Sequence, residues 1–321
     1  MNPIFLNNQV IVYLFSETLL FLLTILLFGK TIKFLRYWDF TSYSNRQLQL
    51  EKEAYLVMTI ATLLFTLKLI LLLFFVYTID KLSLIVPGAM CAAGVISANS
   101  YGMDLLFIKL TVIFTLLLFL IANSYDLKAK NYPLFRFKSW VLIIASLLIF
   151  IEFFLDLSYF RHIDISVPVS CCSALFGNLE GANPLPFGLD IFKLLLLFYI
   201  LYFAVLIAFA LETKAITLLT LLFFSIIAYY GVVYFFGTYI YELPTHKCPF
   251  CMLQKEYYYV GYLLWGSLFF GVYFGVIWVI MSQLGYNIAK AKWASMLLLT
   301  LFVTLCSLYV LIYYLKNGVF L

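Results

Sequence analysis

The residues best suited to chemistry in this chain are its cysteines, and one pair is spaced for it. The segment Thr245-His246-Lys247-Cys248-Pro249-Phe250-Cys251-Met252-Leu253-Gln254 carries a C-x-x-C with an imidazole and an ammonium just ahead of it. Such a pair opening a helix is a redox geometry. The helix N-terminus favours the thiolate of the first cysteine, a neighbouring Lys247 or protonated His246 favours it further, and the second cysteine can close an exchangeable disulfide. The spacing is shared with zinc sites and haem attachment, but no Cys-His follows and no second C-x-x-C completes a four-sulfur site. Cys91 and the adjacent Cys171 and Cys172 lie upstream, and Cys306 falls within the last apolar run. Three uses stay open: thiol exchange, structural disulfides tying loops together, and soft-metal binding. The last would draw on Cys171, Cys172, Cys248, Cys251 and His246, with Met90, Met103 and Met252 nearby, a donor set suited to Cu(I) or a heavier thiophilic ion.

The elements that must position these residues are membrane spans. The 321 residues are 65% hydrophobic and 11% charged, with a mean hydropathy of +1.06. Apolar runs at 10–28, 54–78, 105–122, 140–159, 189–211, 216–240, 257–281 and 293–314 are each long enough to cross hydrocarbon. The chain therefore reads as an all-α integral membrane protein of about eight transmembrane helices, embedded in a lipid bilayer. Twelve Lys and Arg fall in the loops of one side, five on the other, and Lys68, Lys109 and Lys193 within spans. Basic loops resist translocation, so both termini and five of the six cysteines are expected outside, where disulfides persist. The expected location is a bacterial inner membrane with the cysteine loops facing the periplasm. No cleavable signal segment and no nucleic-acid partner are expected.

Within the spans, Glu17 and Lys68 lie at similar depths and are expected to pair, because lone ionised groups in lipid are costly. Glu152 and Asp156, one turn apart, are expected at the outer interface beside Arg161 and His162. There they form a charge cluster or take up protons released by thiol oxidation. Lys109 and Lys193 are expected to snorkel outward. The Cys91 and Cys171/Cys172 loops share a layout ending in Ala-Asn, Gly and an Asp that opens the next span (Ala98, Asn99, Gly102, Asp104; Ala182, Asn183, Gly188, Asp190).

Cys172-Ser173-Ala174-Leu175-Phe176-Gly177 followed by Pro186-Phe187-Gly188 resembles the cysteine loop of vitamin K epoxide reductase homologues. The string from Cys248 to Lys255 (C-P-x-C-x-x-Q-basic) is similar to the quinone-linked motif of disulfide bond formation protein B. The resemblance covers about residues 140–281. It implies a four-helix redox-type bundle in the second half, with domains at 1–135 (three helices and the Cys91 loop), 136–283 (the bundle) and 284–321 (a last helix). It also implies a membrane thiol–disulfide oxidoreductase linking the thiols of an extracytoplasmic thioredoxin-fold partner to a membrane quinone. Electrons would enter at Cys91, Cys171 and Cys172 and pass to Cys248 and Cys251, with Gln254, Lys255 and Tyr257 beside the quinone. This chain departs from the pattern in its adjacent cysteines, in Lys255 where the family has a tyrosine, and in spans one to three and eight. The vicinal Cys171-Cys172 also looks like the cysteine pair of mercuric ion transporters. That alternative implies soft-metal binding or transport, or a role in metalloenzyme assembly, and either reading is compatible with a subunit of a larger membrane complex.

Overall fold

Surrounded by lipid, an apolar segment must satisfy its backbone polar groups internally, so each run becomes a helix. The computed structural model describes residues 3–39, 44–89, 91–129, 132–169, 185, 188–244, 246–286 and 288–321. Among these residues there is no strand, and eight helices are long and apolar enough to cross a membrane. They are α1 (Asn8–Tyr37), α2 (Asn45–Leu82), α4 (Tyr101–Asp126), α5 (Phe135–Arg161), α6 (Ile191–Ala210), the Lys214–Tyr241 helix, α9 (Val260–Gln283) and α10 (Ala289–Asn317). A short α3 (Ala92–Ile96) follows Cys91. Several helices outrun their apolar stretches. The polar ends 29–37 and 45–53 stay helical because Lys, Arg, Gln and Glu are good helix formers, and Asn7 and Ser44 cap the first turns of α1 and α2 with their side chains. Asp190 caps α6, accepting from the Ile191 N–H at 2.9 Å.

The chain forms two compact units, Met1–Cys171 and Cys172–Leu321. In the first, α4 packs along α5, and α1 packs on both α2 and α5; in the second, α9 packs along α10, α6 on the Lys214–Tyr241 helix, and that helix on α9. The spans thus divide four and four, not at 135 and 283. The fourth span joins the first three because its buried Glu152 and Asp156 find their countercharges on α2 and α4. The eighth packs on the seventh through a close approach. A Cβ on Gly271 would lie 2.7 Å from Leu299 Cδ2, and the Ser295 hydroxyl donates to the Gly271 carbonyl at 2.7 Å. The second half does hold a four-helix arrangement, built from spans five to eight.

Basic residues gather at one end of each unit. In the first, Lys30 and Lys33 pair with Glu53, and Lys138 with Asp126, at the end away from the Cys91 segment. In the second, Lys292 pairs with Glu212, and Lys214 donates to the Ser282 carbonyl, at the end away from Cys248. The Lys214–Tyr241 helix is not regular throughout. Its α7 part (Lys214–Gly231) passes through a π turn (Val232–Phe236) into α8 (Gly237–Tyr241), and the Gly237 N–H donates to the Val232 carbonyl five residues back. The helix stops at Glu242, in the left-handed region at φ 52.

Candidate functional site

Beyond Glu242 the chain folds over the end of the second unit and brings His246, Cys248 and Cys251 together. The ligand atoms of these three side chains all lie within 4.8 Å of one another. Two anchors hold the segment. From α8, the Tyr241 hydroxyl donates to the Cys248 carbonyl at 2.5 Å and accepts from the Met252 N–H at 3.1 Å. From α9, the Trp265 indole N–H donates to the Pro249 carbonyl at 3.0 Å. Met252 is fully buried, and Gly261 admits it: a Cβ there would meet Met252 Cγ at 2.6 Å. Tyr241 also packs its ring on His246, with centroids 4.1 Å apart.

The sequence expectation that the C-x-x-C opens a helix is corrected in detail. Cys251 begins a single 3-10 turn (Cys251–Leu253), a second such turn follows (Lys255–Tyr257), and α9 begins only at Val260. Two consecutive left-handed tyrosines, Tyr258 and Tyr259 at φ 53 and 56, make the intervening corner, a conformation uncommon for non-glycine residues. The electrostatic consequence survives on other donors. The Cys248 thiol is lowered from its ordinary 9.0 to about 4, foremost because the Cys251 thiol hydrogen-bonds to it; His246 and the backbone N–H groups of Phe250 and Cys251 add to this against the opposing effect of burial. Lys247 is not among the largest of these causes. Its ammonium sits 4.8 Å over the Tyr234 ring instead. Cys248 is half-buried and Cys251 buried, so the activated sulfur is the more accessible of the two, and neither is in a disulfide.

Tyr241 connects this centre to an aromatic pocket of about 320 Å³, lined by Tyr239, Tyr241, Tyr257, Tyr258, Tyr309 and Tyr313 with Glu242 and Glu256. Of the residues expected beside a quinone, Tyr257 lines it, packed edge to face on Tyr241 with ring centroids 4.8 Å apart. Gln254 is half-buried and Lys255 exposed, and neither lines the pocket. Tyr241 and Trp265 went unnoticed in the sequence, where aromatic residues at span ends pass as interfacial belt.

Among the described residues of its own unit, the cluster takes in no further cysteine. Cys91, buried at the N-terminus of α3, belongs to the first unit; Cys306 is buried in α10. Cys171 and Cys172, together with Met90, lie outside the described residues, as does most of the loop carrying the epoxide reductase resemblance. Met103 is exposed at the start of α4.

The second concentration of reactive side chains lies inside the first unit. Glu17 and Lys68 pair as expected, with Lys68 Nζ 2.6 Å from Oε1 and 2.5 Å from Oε2. Of the other intramembrane expectations, that for Lys109 is overturned, while Lys193 is exposed near the start of α6. Lys109 does not snorkel: it is 2% exposed and contacts Glu152 at 2.7 Å, Asp156 at 2.9 Å and the Tyr13 hydroxyl at 2.7 Å. Glu152 and Asp156 form a charge cluster with Lys109 in the interior of the unit. Both are buried, and Glu152 Oε2 lies 3.0 Å from Lys68 Nζ, so two expected features merge into one network. Lys109 turns inward because an ammonium gains more from two buried carboxylates than from a stretched path to water.

No family model, curated protein or solved structure matches this chain.

Proposed function

We propose that the second unit is a membrane thiol–disulfide oxidoreductase centre with Cys248 as the exchanging sulfur and Cys251 as the resolving one. The observation that carries this reading is the Cys248 thiolate, favoured down to about pH 4 and set at a half-buried position beside a second thiol and an imidazole. Only the thiolate attacks disulfides, and attack needs access.

In the oxidised pair, a thiolate of a partner protein attacks Cys248 Sγ, and Cys251 leaves as the thiolate. The partner's second thiolate then attacks its own sulfur of the mixed disulfide and displaces Cys248. The partner becomes a disulfide, and this site gains two electrons and two protons as a dithiol. His246 is positioned to accept and return a proton at these sulfurs, and Tyr241 and Trp265 hold the segment fixed while the bonds change. The pocket beside Tyr241 matches a quinone ring in size and in its tyrosine hydroxyls, which can donate to carbonyl oxygens. A bound quinone supplies a two-electron, two-proton acceptor that would restore the Cys248–Cys251 disulfide. The partner class is a thioredoxin-fold protein on the outer side of a bacterial inner membrane.

The convergence of three soft donors also favours a second reading. His246, Cys248 and Cys251 could hold Cu(I), a low-coordinate ion suited to thiolate and imidazole. One experiment separates the two. Purified protein in lipid nanodiscs is assayed for oxidation of a dithiol coupled to a soluble quinone, and for Cu(I) retained against a competing chelator. Redox function predicts turnover that is lost in both Cys248→Ser and Cys251→Ser. Full turnover in either variant refutes it, and stoichiometric Cu(I) without turnover replaces it by the metal reading.

A further inference from the structure

The network in the first unit does not balance as drawn, and two independent counts give the same deficit. Charge is the first. Glu17, Glu152 and Asp156 face Lys68 and Lys109, so three carboxylates meet two ammonium groups, all buried. A net charge left in a protein interior surrounded by hydrocarbon is heavily penalised.

Hydrogens are the second count. A tyrosine hydroxyl has a single hydrogen to donate. The network makes seven hydrogen bonds, Lys68 to both oxygens of Glu17, Lys109 to Tyr13, Glu152 and Asp156, and Tyr13 to Glu17 and to Asp156, with Glu152 Oε2 beside Lys68 as an ion-pair contact only. The shortfall falls on Tyr13. Its oxygen already accepts from Lys109, and it stands 2.9 Å from both Glu17 Oε1 and Asp156 Oδ2 with one hydrogen to give. One of those two contacts needs a hydrogen from the carboxyl side. A third feature agrees. Asp156 Oδ1, on a side chain with no exposed surface, has no partner at all, an arrangement far less costly for a neutral acid than for a carboxylate.

We infer that the first unit is an intramembrane proton-binding site, holding one proton shared between Asp156 and Glu17 through the Tyr13 hydroxyl. In one state Asp156 donates to Tyr13 and Tyr13 donates to Glu17; in the other both hydrogens have moved the opposite way. The interchange moves one unit of charge between α5 and α1 without any heavy atom travelling. Lys68 on α2, Lys109 on α4 and Glu152 on α5 complete the set of charged groups facing it. The adjoining cavity, lined in part by Glu17, Lys68, Lys109 and Glu152, is about 10 Å³. That is at the limit for a single water, which favours a bare proton over a hydrated cation. This site does not depend on the cysteine chemistry.

The test is infrared spectroscopy of the protein in nanodiscs at neutral pH, reading the carbonyl stretch of protonated carboxyl groups and its shift in heavy water. One protonated carboxyl is expected per chain. Asp156→Asn should abolish the band while leaving the thermal midpoint near that of the parent, because a neutral amide replaces a neutral acid; Glu17→Gln should do the same. Tyr13→Phe should keep the band but shift it, since the proton can no longer be shared. The inference is overturned by an absent band in the parent, by a band unchanged in Asp156→Asn, by unfolding of both amide variants, or by a stoichiometric sodium ion bound in its place.

Discussion

Replacing Lys109 with methionine tests the intramembrane network most directly. The substitution keeps the length of the side chain and removes its charge. In the structure the ammonium lies 2.7 Å from Glu152 and 2.9 Å from Asp156. With an effective dielectric constant near 20, each contact is worth about 6 kcal/mol before desolvation is subtracted. Burying an ammonium costs several kcal/mol, and partial re-pairing with Lys68 recovers some of the loss, so a net destabilisation of about 3–5 kcal/mol is expected. The assay is reversible unfolding in mixed micelles, with parent and variant compared at one detergent fraction. A double-mutant cycle supplies the control. Lys109→Met combined with Glu152→Gln removes one charge of each sign and should be less destabilised than Lys109→Met alone. A single-variant cost under about 1 kcal/mol, or costs that simply add in the double variant, would mean that the carboxylates do not depend on Lys109 and that the network is misread.

Four further outcomes follow from the cysteine centre. Alkylation of Cys248 should stay at its plateau from neutral pH down to about pH 5 and fall only as pH drops through about 4, where the thiolate protonates; a midpoint near 8 in a pH-resolved labelling experiment refutes the depressed thiol. The linked stability has a definite sign. A thiol lowered in the folded state from 9.0 to about 4 stabilises the reduced protein fully above pH 9, and that contribution is lost progressively as pH falls toward 4, which Cys248→Ser should remove from the pH profile of the thermal midpoint. Tyr241→Phe strips a partner from the Cys248 carbonyl and the Met252 N–H and should cost about 1–3 kcal/mol, with faster alkylation of the buried Cys251 as the segment loosens; unchanged midpoint and labelling would dismiss Tyr241 as an anchor. Gly261→Ala forces a methyl against Met252 and should cost about 1–3 kcal/mol by overpacking, readable as a lowered midpoint, whereas a neutral result would mean that the segment yields freely.

Much of the fold was legible because lipid imposes one solution on long apolar runs: all eight spans stand where hydropathy puts them. The Glu17–Lys68 pair was legible for a related reason, since two opposite charges at equal depth have few alternatives. Lys109 was not. Near the start of its helix it has an outward route to water, and its partners are 43 and 47 residues away on another span. A signal did exist. Tyr13 with Glu17, and Glu152 with Asp156, are both spaced at i and i+4, which puts two polar stripes on faces that can meet. At the C-x-x-C, the motif announced the chemistry but not its support. Left-handed Tyr258 and Tyr259 defy local preference, and a carbonyl held by a tyrosine from the preceding helix leaves no mark in spacing. Grouping spans four to seven by motif failed because affinity between helices is decided by buried contacts such as Gly271 with Leu299.

The π turn at Val232–Phe236 has a consequence for how this helix came to face its partner segment. Each residue advances an α-helix by about 100°, so one residue added to a regular span would swing everything after it to a different side. A π turn accommodates that extra residue as a local bulge while its backbone groups remain bonded in lipid. Here the bulge lies just before Tyr241, so it acts as a phase adjustment between the packed face of α7 and the last turn of α8. Deleting one residue from 232–236 would restore a uniform winding and rotate Tyr241 by roughly a quarter turn. The hydroxyl that clasps Cys248 and Met252 would then point along the surface of the unit, and the two thiols would lose their fixed register with the pocket beside them.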